Sequence, residues 1–125
     1  ISTARKTGAA ILACPITATV KKAEDKIILE TIDRSNLWQA QTPQVFEANL
    51  LKRAYETIAN LDKSKISDDA QLVEALGEKV AIVETDSSNI KITRPSDIPI
   101  ADAIIKARAK LAQKGPLGPY QEAQW

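Results

Sequence analysis

The side chains able to do chemistry here are set by what is missing. The 125 residues contain no His and one Cys. That excludes a Ser-His-Asp triad, a Cys-His dyad and an ordinary zinc site within this chain. Catalysis would have to use carboxylates, hydroxyls, Lys, Arg or a hard metal. Lys91 is the first candidate, in the stretch Asn89-Ile-Lys-Ile-Thr-Arg-Pro95. In a strand, Ile90 and Ile92 would face one way and Lys91 the other. An ammonium there, just ahead of a helix start, suits a phosphate. An exposed lysine that guards an edge strand is the plainer reading, and spacing alone favours it.

Arg34 follows Asp33 and could clamp phosphate oxygens bidentately. A local Asp33–Arg34 surface pairing is the alternative, which residue types alone favour. Thr42, extended ahead of Pro43, could present its hydroxyl to a ligand, although Thr is ordinary in a strand. Thr19 is a weaker signal of the same kind. Ser67 reads more readily as a helix cap than as a ligand contact. Asp68 and Asp69 read as dipole partners in a first helical turn rather than metal ligands. Trp38 is expected to anchor packing in the core or at a subunit contact, and Cys14 to be a small buried apolar residue.

The elements that must position these residues follow from periodicity. Ile1–Thr7 is expected to be helical and to stop at Gly8. Residues 9–13 form an apolar run suited to a strand buried on both faces. Residues 17–24 and 26–33 read as a hairpin around a Glu24-Asp25 turn, whose many charges suggest that it projects or pairs with another chain. The stretch Thr31–Phe46 carries three Gln, a Trp and a Thr-Pro step with few aliphatic residues, a composition that lines a site or an interface. Gln41–Phe46 is expected to be extended, since Pro43 forces Thr42 out of the helical region. Residues 47–59 carry Leu50, Leu51, Ala54, Tyr55 and Ile58 at helical spacing. A second helix is expected from the Ser67 region to Leu76, stopping at Gly77. A strand is expected at 79–84, a loop running into a short strand at 87–93, and a long helix from Pro95 with Ile98, Ala101, Ile104, Ile105 and Leu111 on one face. Alternation of strands and helices indicates an α/β domain. The Gly/Pro-rich residues 115–125 are expected to form a loose tail after a domain spanning 1–114.

Composition limits the function. At 44% hydrophobic and 26% charged the chain reads as a soluble globular domain, one that buries roughly two-thirds of its unfolded surface. A net charge of +1 argues against a dedicated nucleic-acid binder. No apolar run approaches membrane-spanning length, and no signal-peptide pattern opens the chain. The lone Cys14 permits no internal disulfide, which fits a reducing compartment. Met is absent throughout, so Ile1 is not an unprocessed start, and the chain is expected to be processed, truncated or only partly determined.

The sequence blocks fall into one order: Gly-Ala-Ala-Ile-Leu-Ala-Cys-Pro, Thr-Val-Lys, Asp-Arg-Ser-Asn-Leu-Trp-Gln-Ala-Gln-Thr-Pro-Gln-Val-Phe, Ser-Asp-Asp-Ala, and Asn-Ile-Lys-Ile-Thr-Arg-Pro-Ser-Asp. From Gly8 to about Arg108 this order closely resembles the 2-C-methyl-D-erythritol 4-phosphate cytidylyltransferase family. The resemblance implies the C-terminal portion of a Rossmann-like nucleotidyltransferase fold with a protruding β-hairpin arm at about 17–34. It implies a homodimer whose arms interlock, and cytidylyl transfer from CTP to methylerythritol phosphate with Mg²⁺ and release of pyrophosphate. On the same resemblance, Lys91 holds substrate near the reacting phosphates. Thr19 and Arg34 reach the substrate phosphate in the partner's site, Thr42 contacts substrate, and Ser67 keeps a hydroxyl where Thr is common. For Lys91 and Arg34 this reverses the plainer readings. A bacterial cytoplasm is the implied location, or a plastid if the source is a plant or alga.

The departures from the family shape further expectations. The family's Gly-rich nucleotide loop and its acidic metal-site residue lie upstream of the part matched here, so this chain is expected to be inactive alone. No metal ligand is expected within it. Ala18 stands where Asp often precedes the arm threonine. The alternatives are a non-catalytic α/β binding or dimerisation module, or a nucleotidyltransferase for another phosphorylated polyol.

Overall fold

The computed structural model describes residues 1–57 and 66–113. The chain divides into two compact units, Ile1–Asn89 and Ile90–Trp125. The first unit is organised on strand β1 (Ala9–Pro15), the middle of a three-stranded sheet. Helix α1 (Ser2–Thr7) feeds it through Gly8, whose left-handed φ of 82° turns the chain while its N–H returns to the Ala4 carbonyl at 2.8 Å. Glycine adopts that conformation without a Cβ penalty, so Gly8 ends the helix where the sequence places the stop. As the apolar run predicts, β1 is buried along nearly its whole length, with Ala9 and Ala13 fully enclosed.

On one side β1 pairs antiparallel with β4 (Trp38–Phe46), and on the other it pairs parallel with β5 (Ala81–Glu84). The β1–β4 ladder is not continuous. Ile11 faces Gln44 and Leu12 faces Gln41, so Thr42 and Pro43, joined by a cis peptide bond, have no partner on β1. The Thr-Pro step thus forms a bulge, which re-aims side chains locally.

Helices α2 (Ala48–Glu56) and α3 (Asp69–Ala75) supply the core: Leu50 and Ala54, four residues apart, meet Leu72, Val73 and Ala9. Phe46, Leu51, Leu76 and Val80 pack against this cluster. The part of the expected 47–59 helix that carries Ile58 lies outside the described residues, as does the expected tail at 115–125. Gly77, at φ 79°, ends the α3 segment as expected. Cys14 is buried as predicted. Trp38 is 38% exposed, so of its two expected placements the core of this chain is excluded.

Among the described residues, strands β2 (Val20–Glu24) and β3 (Ile27–Ile32) pair only with each other. Their turn is Asp25-Lys26, one residue later than expected, because Glu24 pairs with Ile27. Asp25 and Lys26 both have positive φ, 48° and 65°. Positive φ at both central residues matches the right-handed twist of the flanking strands. Residues 21–31 are all exposed, as the charged pattern predicts.

The described part of the second unit carries α4 (Asp97–Gln113), which begins where Pro95-Ser-Asp predicts. The short strand expected before it is absent. The N–H groups of Thr93 and Arg94 instead donate to the Asp97 carboxylate, both at 2.9 Å. That carboxylate gathers the chain into a turn where a ladder would need extended backbone. Ile98, Ile105 and Leu111 of the expected apolar face are exposed. No helix among the described residues is long and apolar enough to cross a membrane.

Candidate active site

The β4 bulge places Thr42 on a cleft of about 430 Å³ lined with Pro43, Gln44, Asp68 and Asp69. Across it, Gln44 turns both ends of its amide to α3. Its Nε2 donates to Asp68 Oδ2 at 2.7 Å, and its Oε1 accepts the Ala70 N–H at 3.3 Å. Asp68 is the true cap of α3, since its Oδ1 accepts the Gln71 N–H at 3.1 Å. The cap expected at Ser67 is therefore displaced by one residue. Ser67 instead donates its backbone N–H to Gln71 Oε1 at 2.8 Å and leaves its side chain exposed beside the cleft residues. Asp is among the best capping residues, and two carboxylates in sequence leave the choice to the helix register.

Behind the bulge lies a second set of amide contacts. Gln41 donates from Nε2 to the Asp86 carbonyl at 3.1 Å and to Cys14 Sγ at 3.4 Å. Its Oε1 accepts from Asn89 Nδ2 at 3.0 Å and from the Thr85 hydroxyl. Asn89 also donates to the Thr42 carbonyl at 2.9 Å, fixing the bulge from the β5 side. The sequence singles out the Gln-rich stretch but not Thr85 or Asn89 as its partners. Their signal is visible only once β5 is placed beside β1. The carboxyl ends of β1 and β5 border a cleft of about 350 Å³ that includes Thr17, Gln39 and Thr85. In open α/β sheets ligands bind beyond such strand ends.

Thr19 and Arg34 both lie at the base of the hairpin, and neither lines the Thr42 cleft. Thr19 is exposed in the link between β1 and β2, and Arg34 is exposed just after β3. Arg34 donates to the Thr17 carbonyl, while the Ile16 N–H reaches the Leu37 carbonyl at 3.2 Å. The surface pairing of Asp33 with Arg34 is not the arrangement found. Asp33 accepts from the Ser35 hydroxyl at 2.7 Å and the Ser35 N–H at 3.0 Å, and those bonds hold its carboxyl below the usual range. Arg34 retains donors beyond the one it spends on Thr17.

Lys91 belongs to the second unit, exposed in an irregular segment. Downstream, Asp97 is held below its ordinary carboxyl value by the N–H groups of Thr93 and Arg94. The two acidic residues considered for a metal are both engaged: Asp68 as described, and Asp69 by the Tyr55 hydroxyl at 2.6 Å, a bond that raises the Tyr55 pKa. No group of three or more ligating side chains is gathered among the described residues.

The family model of 2-C-methyl-D-erythritol 4-phosphate cytidylyltransferase matches residues 1–107. The Bacillus velezensis protein of that name is 48% identical over 111 residues, covering 87% of this chain and 47% of its own length. That of Geobacter metallireducens is 45% identical over 107 residues, covering 86% and 46%. The crystal structure of the Thermus thermophilus cytidylyltransferase superposes with a TM-score of 0.72 at 35% identity, over 85% of this chain and 52% of the other. The chain spans about half the length of the curated relatives it matches. Its α/β architecture is a portion of the Rossmann-like nucleotidyltransferase fold. With the motif order, the strand arrangement and these matches agreeing, the chain belongs to the 2-C-methyl-D-erythritol 4-phosphate cytidylyltransferase family.

Proposed function

We propose that this chain is the substrate-facing portion of an enzyme that transfers a cytidylyl group from CTP to 2-C-methyl-D-erythritol 4-phosphate, releasing pyrophosphate. The family match over residues 1–107 carries the reading. A phosphate oxygen of the substrate attacks the α-phosphorus of CTP in line, the new P–O bond forms, and the bond to the departing pyrophosphate breaks. The protein's part is to orient the two phosphates and offset the charge that builds on them. Lys91 supplies a compact positive charge to the reacting phosphates, and the hydroxyls of Thr42 and Ser67 orient the polyol phosphate. Thr19 and Arg34, at the base of the hairpin, act in the site of a second copy. The exposed Ile27, Ile28 and Leu29 support an arm that is covered by that copy in a homodimer.

Magnesium would accompany CTP and would supply electrophilic stabilisation of the phosphates. The ion is assigned to the nucleotide-binding portion of the enzyme, with CTP. The cytoplasm is the proposed location.

The test is pyrophosphate release from CTP, Mg²⁺ and methylerythritol phosphate. The chain alone is expected to give none. Joined to the nucleotide-binding portion of the family, it should release pyrophosphate only when methylerythritol phosphate is present. Lys91→Ala in that complete enzyme should lower kcat/KM by at least about a hundredfold, the scale of losing one transition-state donor, with an unchanged circular dichroism spectrum. Normal turnover by Lys91→Ala, or substrate-independent release, would overturn the assignment.

A further inference from the structure

Thr42 has no partner on β1, so the ladder cannot set where it stands. Asn89 holds its carbonyl from one side, at 2.9 Å. From the other side the connection is Gln44, two residues along the same strand. A continuous chain of hydrogen bonds leads from it to Ser67: Gln44 Nε2 to Asp68 Oδ2, Gln71 N–H to Asp68 Oδ1, and Ser67 N–H to Gln71 Oε1. A parallel bond from the Ala70 N–H to Gln44 Oε1 closes the clamp. Both hydroxyl residues assigned to the polyol phosphate therefore hang on one side-chain amide.

We infer that Gln44 is a positioning residue that sets the spacing between Thr42 on the cleft and Ser67 beside it, and thereby the affinity for the phosphorylated polyol, without taking part in the reaction. The inference rests on the reading under Proposed function. The chemistry demands an amide: one end must donate to the Asp68 carboxylate while the other accepts an N–H. A carboxylate at position 44 would still accept the Ala70 N–H but would set a second negative charge against Asp68. Asp68→Asn would repair that. The amide it introduces can donate to the carboxylate at position 44, while its oxygen still accepts the Gln71 N–H.

The complete enzyme with Gln44→Glu, Asp68→Asn and both together provides the test. Gln44→Glu should raise KM for methylerythritol phosphate about tenfold and leave KM for CTP within about twofold, a coupling typical of neighbours in one hydrogen-bond network. Asp68→Asn alone should give a smaller rise, and the double variant should return most of the way to wild type. Both KM values rising together in step with a fall in Tm would mark a merely structural role and overturn the inference. So would an unchanged KM for the polyol phosphate in Gln44→Glu, or a double variant worse than either single one. Wild-type enzyme that does not turn over methylerythritol phosphate would sink the cytidylyl-transfer reading and this inference with it. Turnover that ignores Gln44 would sink the inference alone.

Discussion

The sheet-and-helix body of the first unit and its β2–β3 hairpin are both built on antiparallel pairing with a register shift, yet they treat apolar side chains oppositely. In the body, Leu72 and Val73 are 1% and 0% exposed. In the hairpin, Ile27, Ile28 and Leu29 are 68%, 61% and 56% exposed. The hairpin is held by its ladder, its turn, the anchor of Arg34 on Thr17 and surface pairs such as Lys22–Glu30 at 3.0 Å. Surface ion pairs contribute little in water, and an isolated two-stranded ribbon is marginal. The body thus carries its own stability. The hairpin displays surface suited to another chain.

The largest effect should come from the body. Leu72→Ala is expected to lower unfolding free energy by about 2–5 kcal/mol, through lost burial and the cavity left behind, measured by urea denaturation. Leu29→Asp removes a side chain of the same kind from the hairpin and, at a protein concentration low enough for both proteins to be monomeric, should change the same curve by no more than about 0.5 kcal/mol, as for an ordinary surface site. Its effect should appear instead in the proposed homodimer, as a shift from dimer to monomer by light scattering. Two equal losses of stability would break the contrast, because Leu29 would then behave as core. A dimer that survives Leu29→Asp would remove the hairpin's apolar edge from the interface.

The same contrast explains what is legible in the sequence. Buried elements declare themselves: the Ala9–Ala13 run, the Leu50/Ala54 spacing and the glycine stops at Gly8 and Gly77 each follow from local rules that the fold obeys. The hairpin is legible through β2, whose charges on both faces leave it nowhere to bury, whereas the exposure of Ile27, Ile28 and Leu29 on β3 is not written in residue type. Sequence and structure part where one polar side chain displaces another. Asp68 rather than Ser67 caps α3, Ser35 rather than Arg34 takes Asp33, and Asp97 draws in the backbone expected to extend past Lys91. Such competitions turn on small differences of register, which residue type does not encode. The amide contacts of Gln41, Gln44 and Asn89 are hidden for another reason: their partners lie far along the chain, so only the strand order brings them together.

The smallest effect separates the two regions by acid. Glu47 caps α2, accepting the Asn49 and Leu50 N–H groups at 3.0 and 2.8 Å, and these bonds hold its carboxyl below the ordinary glutamate value. A depressed folded pKa contributes stability that is complete above the unfolded pKa and is lost as pH falls through the folded one. Glu47→Gln keeps an acceptor oxygen but gives up the charge at the helix N-terminus. The variant should be less stable than wild type near neutrality, and the two should converge in acid, below the folded pKa. Asp33 at the hairpin base is depressed as well, so total stability falls with acid in both proteins. Subtracting one curve from the other cancels that shared part and leaves Glu47. A difference that stays flat across the acid range would mean that the α2 cap does not stabilise the body through its charge, and that the body's advantage over the hairpin lies in its apolar core alone.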